Sequence, residues 1–181
     1  MLLFPLELPW SQNLCQKSAG RHPRHSEINE IISKALTACN LASRREPCGM
    51  LRTDGKRPDG MTMIPWKRGR CLVWDATVPD TLAPSHVPES AKCAGSAAQK
   101  AENIKVRKYA NLTDQFLFVP IAVETLGTYG LEARKFVQEL GKKLQMSTGD
   151  SLALCHLRQR ISAAIQRGNS ISVSGTLPKS Y

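Results

Sequence analysis

The chain has 181 residues, 41% hydrophobic and 22% charged, with 12 glycines and 11 prolines. That composition fits a globular protein with one main core and excludes collagen-like, low-complexity and wholly disordered chains. The formal net charge of +10 points towards polyanionic partners, because Lys and Arg release counterions when they neutralise phosphates; a merely soluble basic protein would carry the same balance.

Six cysteines (Cys15, Cys39, Cys48, Cys71, Cys93 and Cys155) include no CxxC pair and are too sparse for a disulfide scaffold. The opening MLLFPLELPW is apolar, but it lacks a basic start, contains Glu7 and is broken by Pro5 and Pro9. It does not read as a signal peptide. No run reaches the ~18 apolar residues of a membrane span. The expectation is an intracellular, reduced, soluble protein, not secreted and without a membrane partner.

In chain order, residues 1–24 read as an irregular basic tail that runs into the cluster Arg21, His22, Arg24 and His25. From Ser26, a candidate cap, Ile28, Ile31, Ile32, Ala35, Leu36 and Cys39 recur at helical spacing, with Glu27 and Glu30 suited to the positive helix start. Residues 43–58 predict a short strand and a turn. Strands are expected over 60–66 and 70–78, joined by a basic hairpin turn at Lys67-Arg68-Gly69. The continuous apolar run Cys71-Leu72-Val73-Trp74 predicts a central strand covered on both faces.

Residues 79–88 read as a loop, 95–110 as a helix, and 116–123 as a strand whose Pro120 favours an edge or a bulge. Two helices follow, over 131–146 and 151–167, and the Ser/Gly-rich end after Gly168 is expected to fray. The fold class expected is α/β (α+β): a small mixed central sheet of about four strands flanked by helices, with a C-terminal helix pair. The divisions expected are a tail over 1–24, a core over 25–127, the helix pair over 128–167 and a flexible tail over 168–181.

The segment able to do chemistry is Arg57-Pro58-Asp59-Gly60 followed by Trp74-Asp75-Ala76-Thr77. If the intervening strands form a hairpin, Asp59 and Asp75 converge at one strand end and offer oxygens to a hard cation such as Mg²⁺. Such an ion holds a phosphodiester and lowers the pKa of an attacking water, and a nearby lysine stabilises the charge that develops. The plainer reading is a turn aspartate before glycine and a strand-end aspartate.

RPDG, the strand ending in WDATV, then AENIKVRKY and FVPIAVETLG together resemble the restriction-enzyme-like endonuclease domain of non-LTR retrotransposons, within the PD-(D/E)xK nuclease superfamily. The stretches RHxxxN, EPxGLxxxDGKRPDG and AIQRGN are similar to those of retroelement-derived proteins of animal genomes. The likeness covers about residues 20–170. It implies that Asp59 and Asp75 are catalytic metal ligands for Mg²⁺ or Mn²⁺. Thr77 stands where the motif's lysine would be, and the resemblance implies a lysine from the following helix, Lys105 or, as second choice, Lys108. Glu27 and Glu46 are candidates for an additional acid.

A Cys/His zinc knuckle precedes this domain in such proteins. Here only Cys15 with His22 and His25 remains, too few ligands at unsuitable spacing. No zinc is expected, and the chain reads as truncated relative to the family. Arg44, Arg45, Arg52, Lys56, Arg57, Lys67, Arg68 and Arg70, interleaved with Trp66 and Trp74, are candidates for binding the phosphates of DNA or RNA; solvated turns with Trp74 in the core are the plainer alternative. Tyr109 reads as a helix-end packing residue. The functions expected are DNA nicking by phosphodiester hydrolysis in the nucleus or, alternatively, nucleic-acid binding without turnover. A small-molecule substrate is not expected.

Overall fold

The computed structural model describes residues 21–48, 50 and 57–175. Helix α1 (Arg21–Ala38) leads into strands β1 (Ser43–Arg45), β2 (Gly60–Thr62) and β3 (Leu72–Thr77). One turn of helix, α2 (Val87–Ser90), precedes α3 (Ser96–Lys108), strand β4 (Leu117–Ala122) and the pair α4 (Leu131–Thr148) and α5 (Ala153–Ser174). The sheet runs β1-β2-β3-β4, antiparallel except for the parallel pair β3–β4. This is the mixed α/β architecture the sequence predicts, with β3 central and buried along nearly its whole length.

The turn at Lys67-Arg68-Gly69 forms as expected. Lys67 and Arg70 pair across it, and Arg68 (φ 50°) and Gly69 (φ 72°) both take left-handed conformations, as a two-residue turn needs to follow the twist of its strands. Pro120 lies on an edge strand. Leu117 and Val123 point their N–H groups at β3, so the two-residue period turns position 120 towards the open edge, where a missing donor costs the ladder nothing. Gly60 stands opposite Trp74 in the β2–β3 register, and any side chain at Gly60 would collide with that indole.

Two layers of helix enclose the sheet. On one face Leu72, Trp74, Ala76, Ile121 and Val123 pack with residues of α1, α4 and α5 such as Ile28, Ile32, Phe136, Leu140, Leu157 and Ile161. On the other lies α3, whose terminal Tyr109 ring sits 4.8 Å from that of Phe118. Trp66 joins the core against Phe136, with the Lys143 ammonium over its ring. The helix pair therefore completes the same core as the sheet.

Three expectations on boundaries are corrected. The segment before His25 is not an irregular tail over its last turn, because α1 begins at Arg21 and Ser26 lies inside it. Pro23 falls in the first turn, where no N–H is needed, and Arg24 donates to Asn169 Oδ1 at 2.9 Å and Ser172 Oγ at 3.1 Å. The same contacts explain why α5 does not fray after Gly168 but continues to Ser174. Asn169 is held again by its amide, which donates to the Thr125 carbonyl at 2.8 Å. Finally, β2 is shorter than the strand expected over 60–66. Residues 1–20 and 176–181 of the expected tails lie outside the described residues.

Two buried carboxylates link the layers. Glu124, just past β4, accepts the Ala98 N–H in the first turn of α3 at 3.1 Å and the Thr81 hydroxyl at 3.2 Å. Glu102, on α3, accepts the Glu132 and Ala133 N–H groups at the start of α4 at 3.0 and 2.8 Å. Each fills donors that a helix start leaves unpaired, with charge of the sign its dipole favours. Glycine is required at position 130 because a Cβ there would run into the Glu102 carboxyl. Glu102→Ala is expected to lower unfolding free energy by about 2 kcal/mol in a denaturant titration, with Glu102→Gln closer to wild type; a loss below roughly 0.5 kcal/mol for the alanine variant would mean that water replaces the cap.

Candidate active site

Extending the Gly60–Trp74 register by one residue sets Asp59 opposite Asp75, the Asp59 N–H donating to the Trp74 carbonyl at 3.0 Å. Asp75 belongs to β3 on the face that α3 covers, and it is only 4% exposed. Its Oδ1 lies 3.1 Å from the Tyr109 hydroxyl, which is also 3.1 Å from the Arg57 carbonyl. Its Oδ2 forms an ion pair with the Lys105 ammonium and accepts no hydrogen bond besides. Lys105 and Tyr109 are four apart on α3, so one helix face brings both to the carboxylate.

Asp59 is gripped from the other side. Its Oδ2 accepts the Ala76 N–H at 2.6 Å and the His25 Nε2–H at 2.9 Å. His25 is presented by α1, one turn before Asn29, whose amide nitrogen lies 3.4 Å from His25 Nε2 and whose Oδ1 accepts the Trp74 indole N–H at 2.9 Å. Two helices from opposite layers therefore each bring a base to one of two facing carboxylates.

The electrostatics separate those carboxylates. Burial pushes the Asp75 carboxyl above its usual range, and the negative charge of Asp59 adds to that, against the pull of Lys105. Burial also pushes at Asp59, but the hydrogen bond and charge of His25, with the Ala76 N–H, outweigh it and hold the group below its usual range. His25 is raised, chiefly by its hydrogen bond to Asp59 with burial opposing. Neighbouring carboxylates pushed in opposite directions are characteristic of sites that move protons or hold cations, though structural ion pairs do the same.

No protein-family model matches the chain, and no curated protein is similar to it.

Of the residues singled out in the sequence, Asp59, Asp75 and Lys105 come together. Lys108 stays at the rim, its ammonium 3.1 Å from the Tyr109 hydroxyl and 4.7 Å from the centre of that ring. The two candidate additional acids are engaged elsewhere: Glu46 pairs with Arg57, and Glu27 with Arg167 of α5. Thr77 closes β3. Lys67, Arg68 and Arg70 lie at the opposite end of β3, and Arg70 is five residues or roughly 17 Å of strand before Asp75. Lys67 is paired with Glu139 there, and Arg70 donates to the Thr113 carbonyl. Arg52 and Lys56 lie outside the described residues, as does Cys15.

His25, Asn29 and the hydroxyl role of Tyr109 were not assigned from the sequence. A signal for the first two was present, since RHxxxN contains both, four apart on one helix face. Tyr109 carried no such signal.

Two expectations follow. The folded midpoint of His25 lies above 6.5, so the stabilisation from its pairing is full below that value and is lost as pH rises through the folded midpoint. An NMR titration should place His25 above 6.5 in the wild type and return it towards that value in Asp59→Asn; identical midpoints would mean that the pair does not form. Because burial raises the Asp75 carboxyl, holding it ionised costs the fold stability. Asp75→Asn should therefore raise Tm near neutral pH, and a lower Tm would show that the Lys105 ion pair outweighs burial.

Proposed function

We propose that this chain is a retroelement-derived, metal-dependent DNA endonuclease-like domain that nicks by phosphodiester hydrolysis. The observation that carries the reading is the meeting of Lys105 with Asp75 at the strand end where Asp59 stands opposite. It supplies, from α3, a lysine that Thr77 cannot.

A divalent cation fits the two carboxylates. Asp75 Oδ2 is buried with the Lys105 ammonium as its partner, so a cation held between Asp75 and Asp59 would share that oxygen with Lys105. Among the described residues no group of three or more His, Cys, Asp and Glu side chains forms a closed metal cage. Mg²⁺ does not need one, since it is commonly held by one or two carboxylates with water and substrate phosphates completing its shell. Bound by Asp59 and Asp75, it would polarise the phosphate and lower the pKa of water.

The side chains of the protein have distinct tasks in that reaction. The water oxygen bonds to phosphorus as the opposite P–O bond breaks; the proton the water gives up passes to solvent, and the leaving oxygen takes one from solvent. Lys105 is 22% exposed and paired with Asp75, where its ammonium would orient the water and offset charge on the phosphoryl oxygens. Tyr109 fixes Asp75 in one orientation, and His25 keeps Asp59 ionised. With DNA as substrate, the compartment proposed is the nucleus. Among the described residues, no helix is long and apolar enough to cross a membrane.

A second reading, nucleic-acid binding without turnover, is favoured by one feature: Lys105 and His25 already compensate the two carboxylates. Supercoiled plasmid with Mg²⁺ or Mn²⁺ separates the two. Wild type should nick, and Asp75→Ala and Lys105→Ala, checked for folding by circular dichroism, should be slower by about 100-fold or more. Equal nicking by wild type and Asp75→Ala would mean contamination and would sink the nuclease. Salt-sensitive DNA binding without nicking would establish the second reading.

A further inference from the structure

Ion pairing divides the basic residues of the chain into two groups. Arg45, Arg57, Lys67 and Arg167 are each paired with a glutamate, Glu30, Glu46, Glu139 and Glu27 respectively. Their charge is largely spent locally. Lys100, Arg107, Arg134 and Arg158 form no ion pair or side-chain hydrogen bond with another described residue; the same holds for Arg21, Arg68, Lys92, Lys142 and Arg160, but the first four stand together. They lie along two adjoining hollows. One, of about 650 Å³, runs between the outer face of α3 and the start of α4 and includes Lys100, Arg107, Tyr129 and Arg134. The other, of about 330 Å³, is formed by Tyr129, Arg134, Val137 and Arg158. Tyr129 and Arg134 line both, so the hollows adjoin, and together they form a basic groove.

The groove lies away from the candidate active site. Lys100 and Arg107 are seven apart on α3, two turns along one face, whereas Lys105 points from another face towards Asp75. The hydroxyl of Tyr129, which lines both hollows, is buried and has no hydrogen-bond partner among the described residues. A buried donor of that kind is costly unless something accepts from it. An oxyanion between Arg134 and Arg158 would accept from the hydroxyl and be neutralised by two guanidinium groups of the kind that bind phosphate in a fork. Among the described residues Glu89 is the one carboxylate lining the larger hollow, against three cations.

We propose that this groove holds the phosphate backbone of a nucleic-acid strand, a second contact surface separate from the carboxylate site. A polymer is favoured over a small anion by spacing. Lys100 and Arg107 are about 10 Å apart along the helix, and Arg134 and Arg158 extend the line onto α4 and α5, so one small ion cannot reach all four. A net charge of +10 agrees in sign. Among the described residues no tryptophan or phenylalanine lines the groove, and the exposed apolar groups beside it are Ile104 and Leu131. Binding there is therefore to backbone and insensitive to base sequence. The proposal deepens the nucleic-acid reading above and rests on it for the class of partner, but it requires no cleavage.

The test uses the full chain and a fluorescent DNA oligonucleotide, as single strand and as duplex, titrated at several salt concentrations. The triple variant Lys100→Gln/Arg107→Gln/Arg134→Gln removes exposed side chains, so its Tm should match wild type. Its DNA affinity should fall at least tenfold, and its salt slope should be shallower by roughly 2–3, at 0.7–0.9 per phosphate contact. Tyr129→Phe, which deletes only the hydroxyl, should weaken binding without altering the slope. An unchanged slope in the triple variant overturns the groove whatever the nicking assay gives. Binding to phosphatidylserine vesicles but not to DNA overturns it in favour of a membrane surface. Loss of nicking in wild type with the triple-variant effect intact overturns the nuclease alone.

Discussion

Asp75 is a carboxylate in the central strand of the sheet, almost out of contact with water, and much of the rest of the molecule is arranged around it. Burying an ionised group without partners is prohibitively costly. The compensation comes from α3, whose Lys105 and Tyr109 reach it together. The position of α3 is set in turn by Glu124 at its first turn, and α3 sets the start of α4 through Glu102. Acidic side chains therefore tie β3, β4, α3 and α4 into a single frame. Had these positions been apolar, the layers could have packed with similar area and looser register, because apolar contact is not directional.

The opposite layer completes the arrangement through α1. His25 and Asn29 are one turn apart, and they hold Asp59 and Trp74 respectively. The indole that anchors α1 also lies over Gly60, the residue after Asp59. Core packing and placement of the carboxylate are thus not separable here. A change at Asn29 or Gly60 would move Asp59 as well as loosen the core.

The charge of the protein has a similar division. Exposed ion pairs contribute little to stability, but each removes a cation from those able to meet an outside anion. Arg45 of β1 and Arg57 before β2 are partnered in this way, whereas Arg134 and Arg158 beside Tyr129 are not. Clusters of basic residues in the sequence are therefore a poor guide to which cations the fold leaves unpaired.

Local patterns carried much of the fold. The turn at Arg68-Gly69 was legible because a two-residue connection requires left-handed backbone, the burial of β3 because its residues are apolar on both faces, and the edge place of β4 because Pro120 lacks a donor. Asp59 and Asp75 were legible as residues at the facing ends of a hairpin. Periodicity within a segment determines such things. The true extent of α1 and α5 was decided by Arg24 and Asn169, 145 residues apart. The partners of the carboxylates were likewise settled only in three dimensions: His25 and Asp59 are 34 residues apart, as are Asp75 and Tyr109. A pairing across such distances leaves no period in either segment, since it depends on which helix faces the layers turn inward.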